Sequence, residues 1–515
     1  MKREAAGNMS NGRLGHLLRG VWLLGLWQAV FVAGTGSKLW EIPTTSFSSS
    51  SNHSESQQWE QDCQYRHLQD RVRITADIPP RLDGTWVSTR CEVRPGPEFL
   101  TRSYTFHPSR HFQALQHYYS DSSCEDPAYS LMIKGKLRLR QASWITQGAT
   151  EAEHHLSKVG IVVHSLTAKQ RLTSRLPPAC VGTTLGRAVP GKLYELYNTR
   201  SGRACLVALG FSMLEMELIR VETQYYSHGG KVQELFLGDV HTDWTQRTLY
   251  RPTGYQHPLQ HVMHHIHPCP VCALVYRSSE QRPPVLHRSP AAPLSLSGHW
   301  VSQRCETRPN ILFLTRDFTF DTDHHAWEGV YRHYSDPLCS QPTFTLRASG
   351  HYAQGNPSAK ISGATEFVFK VTQVKVTAEE ESTAKLLNGT RPGKCGRSGG
   401  WEVGVEQDVT PTAGCNLLGI KLPHKEYELF KTELDHRKHL LLFTGERPTD
   451  GSSPDRPQKR QTSFQAPMML CSVGETHPSH GFNRQVQPAA SGTDRLVQFF
   501  LLMLGSVLFS WMCRF

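Results

Sequence analysis

The sequence predicts an all-β protein: two tandem homologous antiparallel β-barrel-like domains braced by disulfides, preceded by a signal peptide and followed by a single C-terminal transmembrane helix. Three observations predict it. The first is a long internal repeat. Gly84-Thr85-Trp86-Val87-Ser88, running on through Arg90-Cys91-Glu92 and Arg94-Pro95, returns 214 residues later as Gly298-His299-Trp300-Val301-Ser302, Arg304-Cys305-Glu306 and Arg308-Pro309. Phe99-Leu100-Thr101-Arg102 returns as Phe313-Leu314-Thr315-Arg316, and after a one-residue slip Gly148-Ala149-Thr150-Glu151 returns as Gly363-Ala364-Thr365-Glu366. Solenoid units run about 20–50 residues, so a period this long means two domains, each large enough to bury its own core. The second observation is the texture between these landmarks: short β-branched and aromatic runs, bounded by Gly, Pro, Asn and Ser, that alternate with period two. The third is thirteen cysteines, a disulfide framework in an extracellular chain.

Along the chain, residues 1–36 read as a signal peptide. Lys2, Arg3, Arg13 and Arg19 precede the apolar run Val21 to Val32, and small residues follow it. Residues 37–59 are a Ser-rich lead-in. The first β-barrel-like domain spans 60–281, and a Pro-rich linker occupies 282–294. The second domain spans 295–475, with a stalk over 476–495. Leu496 to Cys513 is apolar and just long enough to cross a bilayer. A removed tail with a lipid anchor on Ser491 is the alternative. Either arrangement places the domains outside the cell, in the plasma membrane as a single-pass type I protein on the first reading. Asn52 and Asn388 lie in N-glycosylation sequons.

Alternation is clearest at Leu100, Arg102, Tyr104 and Phe106 and again at Leu314, Arg316, Phe318 and Phe320; Phe367 to Val376 and Glu426 to Phe430 continue it. Helical composition is confined to Ala168 to Leu176 and Ala378 to Leu387. Closing such sheets into barrels removes their edges. Among the cysteines, Cys91, Cys124, Cys180 and Cys205 correspond to Cys305, Cys339, Cys395 and Cys415. Pairing neighbours within each set is favoured, and two other connectivities per set stay open. A bridge closing about 34 residues contributes roughly 3–4 kcal/mol by loop entropy. Cys63, Cys269, Cys272 and Cys471 fall outside the repeat and read as ties between domain ends; Cys513 lies in the membrane segment.

Candidate chemistry is sparse. His261, His264, His265 and His267 lead into Cys269-Pro270-Val271-Cys272, a spacing that suits zinc when thiolates are available. Outside the cell a structural disulfide is the favoured reading, and the second repeat lacks the histidines. Glu92 and Glu306, with Glu151 and Glu366, could pair as acid and base. Arg94 and Arg308 beside the first two favour structural ion pairs. There is no G-x-S-x-G, phosphate-binding glycine loop or H-E-x-x-H. The reading is therefore not an enzyme, with no catalytic residue, metal or cofactor. A net charge of +11 suits weak binding to heparan sulfate or anionic lipid, through Lys134 to Arg140 and Arg456 to Arg460; nucleic acid does not fit the compartment. The G-x-W that opens each repeat resembles the start of lipocalin barrels, where the Trp closes one end of the calyx. Trp86, Tyr104, Phe106 and Phe112, with Trp300, Phe318, Phe320 and Trp327, are the residues expected to line or close an interior pocket; a packed core is the alternative for each.

W-V-S-x-R-C-E-x-R-P-x-x-x-F-L-T-R, H-Y-S-D-x-x-C in the second repeat, and Glu234 to Asp243 resemble the adenomatosis polyposis coli down-regulated protein family, as do Gly363 to Phe369 and Arg447 to Asp455. Arg251 to Gln256 and His267 to Pro270 lean towards the branch named "like". The resemblance covers roughly residues 60 to 475. It implies a membrane-tethered extracellular glycoprotein that inhibits Wnt signalling by binding Wnt proteins and their co-receptor of the LDL-receptor-related type, with a hydrophobic cavity able to receive lipid. Thr307 departs from the family's usual Val. An adhesion ectodomain with solid barrels is the alternative function, and a metal-dependent hydrolase built on residues 261–272 a distant one.

Overall fold

In the computed structural model, the described residues are 71–472, apart from 175, 181–184, 227–229, 288–293 and 436–437. The signal peptide, lead-in, stalk, membrane segment, Asn52, Cys63 and Cys513 lie outside them. The described chain is all-β in its sheets. The first repeat supplies eight barrel strands: β1 (Gly84–Val87), β2 (Glu98–Phe106), β3 (His111–Tyr119), β4 (Pro127–Ala142), β5 (Thr150–Val163), β6 (Leu218–Tyr226), β7 (Lys231–Leu237) and β8 (Leu259–His261). Each pairs antiparallel with the next, and β8 returns to β1 through Gln260↔Val87, so the sheet closes. The second repeat supplies β9 (Gly298–Ser302), β10 (Leu312–Asp321), β11 (Ala326–Tyr334), β12 (Pro342–Pro357), β13 (Ala364–Ala378), β14 (His424–Leu434), β15 (Leu440–Thr444) and β16 (Met468–Ser472). They too pair in sequence, and β16 bonds β9, which also bonds β10. Both halves are therefore up-and-down meanders of the same order. The longest hairpin carries a register shift at the same place in each copy, before Gly135 and before Gly350.

The repeated words now have physical content. Gly84 and Gly298 sit at φ +114° and +115°, a region open to glycine, which turns the chain into the first strand. Two residues on, the indoles of Trp86 and Trp300 are buried and donate to the carbonyls of Leu82 and Leu296 at 2.8 Å. Asp121 and Asp336 each accept backbone N–H groups of the following loop and shape the turn that presents Cys124 and Cys339. Those cysteines bond Cys91 and Cys305, while Cys180 bonds Cys205, Cys395 bonds Cys415 and Cys269 bonds Cys272. Cys471 is also disulfide-bonded. The two stretches of helical composition fold as Leu166–Thr173 and Glu381–Asn388, each in the long excursion between the fifth and sixth barrel strands, and helices also form where none was expected, at Arg200–Ala208 and Pro270–Tyr276.

The R-C-E segment forms a short arm, Glu92–Arg94 or Glu306–Arg308, along the second barrel strand. In each arm the glutamate is buried and pairs with the arginine of F-L-T-R. Arg102 binds Glu92 through Nε and Nη2 at 2.7–3.1 Å, and Ser88 donates to the same carboxylate. Arg316 binds Glu306 at 2.9–3.0 Å, and Ser302 donates to it at 2.7 Å. The ion pair expected between Glu92 and Arg94 is thus made with Arg102 instead, because the arm lies antiparallel to β2 and brings that arginine alongside. Arg308 does reach Glu306, so this carboxylate serves two arginines. Glu151 and Glu366 pair with Arg251 and Arg460, at 3.4 and 3.2 Å.

The arms also join the halves reciprocally. Arg90 reaches Glu433 at 3.6 Å and lies over the Phe443 ring; its repeat equivalent Arg304 reaches Glu222 at 3.6 Å and lies over Phe236. Gly96 N donates to Thr462 Oγ1 and Asn310 N to Thr253 Oγ1. Thr242 and Thr449, which hold corresponding places in the two repeats, bond each other at 3.1 Å. These contacts on one side have mirrors on the other, the pattern of an isologous dimer fused into one chain, although Arg304 also pairs with Glu234 at 2.7 Å where the first arm would meet Leu441.

Removing one partner of the buried lock leaves a charge without compensation. Glu92→Ala is expected to cost about 3–5 kcal/mol in chemical denaturation, and Glu92→Ala with Arg102→Met to recover most of it.

Candidate functional site

The two barrels differ inside. In the first, Trp86, Tyr104, Phe106 and Phe112 are 5% exposed or less and pack into one continuous core. The excursion between β5 and β6 fills the rest, contributing Leu185, Leu196, Leu206, Met213 and Met216 to the same cluster. Glu215 enters with it and accepts from Arg94 Nη2 at 3.2 Å, Tyr104 Oη at 2.9 Å and Gln116 Nε2 at 3.3 Å. Among the described residues this interior is closely packed, with a space of only about 20 Å³ beside Glu215, and three donors match that carboxylate.

The second barrel opens instead on a cavity of about 2090 Å³ that runs into the cleft between the halves. Phe318, Phe320 and Trp327 line it, whereas Trp300 is sealed in the wall behind. Of the eight aromatic residues singled out from sequence, three therefore face this cavity. Phe369 and Phe430, on β13 and β14, complete its apolar end, with ring centroids 5.2 Å apart and Trp327 5.4 Å from Phe369. Equivalent positions change in both directions: where the first barrel has Ala114, Ile133, Ile161 and Val163, the second has Gly329, Ala348, Val376 and Ala378, each smaller, and where it has Phe112, Leu137 and Ala152 the second has Trp327, Tyr352 and Phe367, each larger. Met213 and Met216 belong to the first core, whereas His424 and Tyr427 hold their places in the second repeat and lie outside its core. A methyl group at Gly329 would come within 2.9 Å of both the Phe318 and Trp327 rings. Only alignment strand by strand reveals these positions, since none lies in a repeated word.

The other end of the cavity is charged. Glu215 and Glu426 hold the same place in the two repeats, but Phe318 replaces Tyr104 and Tyr331 replaces Gln116, so two of the three donors to Glu215 are changed and only Arg94 keeps its counterpart, Arg308. Glu426 instead accepts from His424 Nε2 at 2.7 Å and Arg447 Nη2 at 2.6 Å. Burial raises its carboxyl, but the charges and hydrogen bonds of Arg447 and His424 together outweigh burial and hold it down at about 2. Two residues along β14, Glu428 is pushed up to about 8 by burial and by the charge on Glu426. Its Oε2 has no hydrogen-bond partner, and neither has Trp327 Nε1. Tyr331 joins the two ends, its ring 5.4 Å from Phe318 and its hydroxyl in the field of Arg447 and Glu426. The lining is thus amphipathic along the barrel: rings at one end, arginines and carboxylates at the other.

The remaining candidates lie elsewhere. His261 packs edge-on against Trp86 at 4.9 Å, His264 stacks on His261, and His265 lies 4.0 Å from His267. Cys269 and Cys272 are joined, and the described residues contain no group of three or more His, Cys, Asp or Glu side chains placed to hold a metal. Asn388 bonds the backbone of Trp401 with both ends of its amide.

A family model described as "Adenomatosis polyposis coli down-regulated 1" matches residues 60–287 and 289–479. Among solved structures, a mutant of the vaccine antigen Transferrin Binding Protein B from Haemophilus parasuis Hp5 aligns at 8% identity over 72% of this chain, with a TM-score of 0.15. The chain covers 65% of that protein's length, and a likeness this weak carries no argument.

The raised Glu428 carboxyl gives a pH test. Between its ordinary value of 4.5 and about 8 the folded state holds a proton that the unfolded state releases, so this group's contribution to stability declines as pH rises through that window. Glu428→Gln, fixed in the neutral form, is expected to raise Tm by a few degrees at pH 8 and to change it little at pH 5 in parallel thermal melts.

Proposed function

The chain belongs to the adenomatosis polyposis coli down-regulated 1 family, and from that premise we propose that it acts as a membrane-tethered extracellular inhibitor of Wnt signalling, holding the ligand's acyl chain inside the second barrel. The observation that carries this reading is the asymmetry of the duplication: one barrel is packed with residues of its own excursion, while its copy opens on a cavity walled by aromatic rings. Ligand pockets run about 300–1,000 Å³, so a space of 2090 Å³ has room for a long hydrocarbon chain and part of the polypeptide that bears it. Burying ten methylenes contributes about 8 kcal/mol gross, before ordering and association costs. That is enough for sequestration to inhibit without a chemical step. The solid barrel then serves as scaffold and as a surface for the co-receptor, and the basic surface as a weak glycosaminoglycan contact.

Capture assays test this directly. The secreted ectodomain is expected to retain acylated Wnt and to lose most of that retention with an acyl-deficient mutant. Ala348→Ile restores the residue that the first barrel carries at Ile133, and is expected to narrow the cavity beside its aromatic rings, preserve the fold and reduce capture of acylated Wnt. Equal capture of both Wnt forms, or undiminished capture by a correctly folded Ala348→Ile ectodomain, would sink the acyl-chain reading.

A further inference from the structure

Two basic clusters stand out in the sequence, Lys134 to Arg140 and Arg456 to Arg460, and folding treats them oppositely. The charges of the second are engaged within the molecule. Arg460 pairs with Glu366 at 3.2 Å, donates to the carbonyls of Phe367 and Glu428 at 2.8 Å and lies over the Tyr427 ring. Lys459 and Arg456 reach Asp455 at 3.0 and 3.9 Å. The first cluster lies on β4, where burial alternates residue by residue. Ile133, Gly135 and Leu137 are buried, whereas Lys134, Lys136, Arg138 and Arg140 are exposed and line the outer face of the barrel.

Strand pairing widens this row. Across to β5, Lys158 stands opposite Lys134 and His155 opposite Lys136; across to β3, His111 stands opposite Lys136. Two carboxylates flank the row, and both are engaged at its margins. Glu153, opposite Arg138, pairs with Arg140, and Glu195 pairs with Lys158 at 3.7 Å. That leaves Lys134, Lys136 and Arg138 with no carboxylate partner among the described residues. Side chains two residues apart on a strand stand about 6.8 Å from each other. This is inside the screening length of about 8 Å at physiological salt, so the three cations act as one field. The fold does not require them. The same hairpin of the second barrel, paired in the same register, has Ser349, His351, Ala353 and Gln373 in place of Lys134, Lys136, Arg138 and Lys158.

We propose that the outer face of the β4–β5 hairpin of the first barrel binds a sulfated glycosaminoglycan chain laid along Lys134, Lys136 and Arg138. The occupant follows from the charge pattern. A straight row of unpaired cations complements a linear polyanion, whereas a single anionic group would engage only one or two of them. The residues that flank the row across the strands, Gln113, His111, His155 and Lys158, are polar, and the exposed Trp144 lies past the end of β4, so the row offers no apolar side chain to a bilayer. This rests on the glycosaminoglycan contact proposed above and deepens it, by placing that contact on the first barrel and removing Arg456 to Arg460 from it. It is independent of the acyl-chain cavity.

Binding of immobilised heparin by the purified ectodomain at physiological salt tests the site. Heparin is expected to bind, to release as salt rises, and to bind about tenfold or more tightly than its desulfated form. Lys134→Ser, Lys136→His and Arg138→Ala together install the residues of the second barrel and are expected to weaken heparin binding about tenfold or more, with an unchanged thermal melt. Lys136→Glu, a single change at an exposed position, is expected to act in the same direction. Arg456→Ala with Lys459→Ala is expected to leave affinity within about twofold, since both side chains already pair with Asp455. Heparin binding that survives both sets of changes on β4, or that the Arg456 and Lys459 changes abolish, overturns this site and leaves a glycosaminoglycan contact elsewhere. Equal binding of desulfated heparin overturns the requirement for sulfate. Phosphatidylserine vesicles that bind as strongly as heparin, and lose binding in the triple variant, give the row to a membrane and overturn the proposal. No heparin binding at all overturns both the site and the contact.

Discussion

Much of this molecule follows from one buried interaction made twice: a serine and an arginine closing on a glutamate beneath each arm. Arg102 and Arg316 are among the largest fully buried side chains, and Glu92 and Glu306 are 5–6% exposed. A buried ion pair is weak evidence of net stabilisation, because desolvating both charges costs about what their attraction returns. Its value here is positional. Hydrogen-bonding geometry allows a guanidinium and a carboxylate few relative placements, so the lock fixes the arm's register on the second barrel strand. That register decides where the flanking residues go. Arg90 and Arg304 face the other half, the disulfides at Cys91 and Cys305 pin the arm's start, and Arg94 and Arg308 turn towards the barrel mouths.

Because the arms sit alike, the halves meet alike. The Arg90–Phe443 and Arg304–Phe236 contacts, the Gly96–Thr462 and Asn310–Thr253 bonds, and the Thr242–Thr449 pair across the centre describe one interface used in both directions. Such an interface constrains mutation, since a favourable change must suit both copies or break the correspondence. The correspondence is kept at the interface and lost inside the barrels. Val240 against Arg447, Tyr104 against Phe318 and Ile133 against Ala348 are differences the interface does not feel. A duplicated scaffold can let one interior specialise while the other remains a load-carrying core.

The sequence made the scaffold legible and the site only in part. Repeated words announced two domains, cysteine spacing suggested the bridges that join neighbours, and alternation at residues 100–106 and 314–320 marked the strands. These signals are local, or they repeat verbatim. Three of the eight pocket aromatics line the cavity, because alternation tells which residues face inward but not whether the space they face is filled. That depends on the volume of partners far along the chain, Met213 and Met216 in one half and Ala348 and Ala378 in the other. The partner of Glu92 was hidden for a related reason: proximity in sequence pointed to Arg94, while strand pairing supplies Arg102. A usable signal was present, since the arginine of F-L-T-R recurs at the same distance from the glutamate in both copies. Glu428 and Arg447 carried none, because the charges around them are set by folding rather than by neighbours in sequence.

A hollow barrel has to be stable before it can be useful. Large-to-small changes in a packed core destabilise by about 1–5 kcal/mol each, depending on how far the surroundings relax, and the second barrel sets its smaller residues, Ala348 and Ala378 among them, against larger rings at Trp327, Tyr352 and Phe367. It keeps its shape through what the change leaves untouched. Phe318, Phe320, Trp327, Phe369 and Phe430 brace one another edge-on around the space, Cys395–Cys415 ties the excursion over one end, and the solid barrel holds the other through the reciprocal interface. At the mouth, Arg308 and Arg316 are held on Glu306 and Arg447 on Glu426, so the polar end is braced by ion pairs as the apolar end is braced by rings. Both sets of contacts run around the space rather than across it, which is how a barrel can stay open without a filled core.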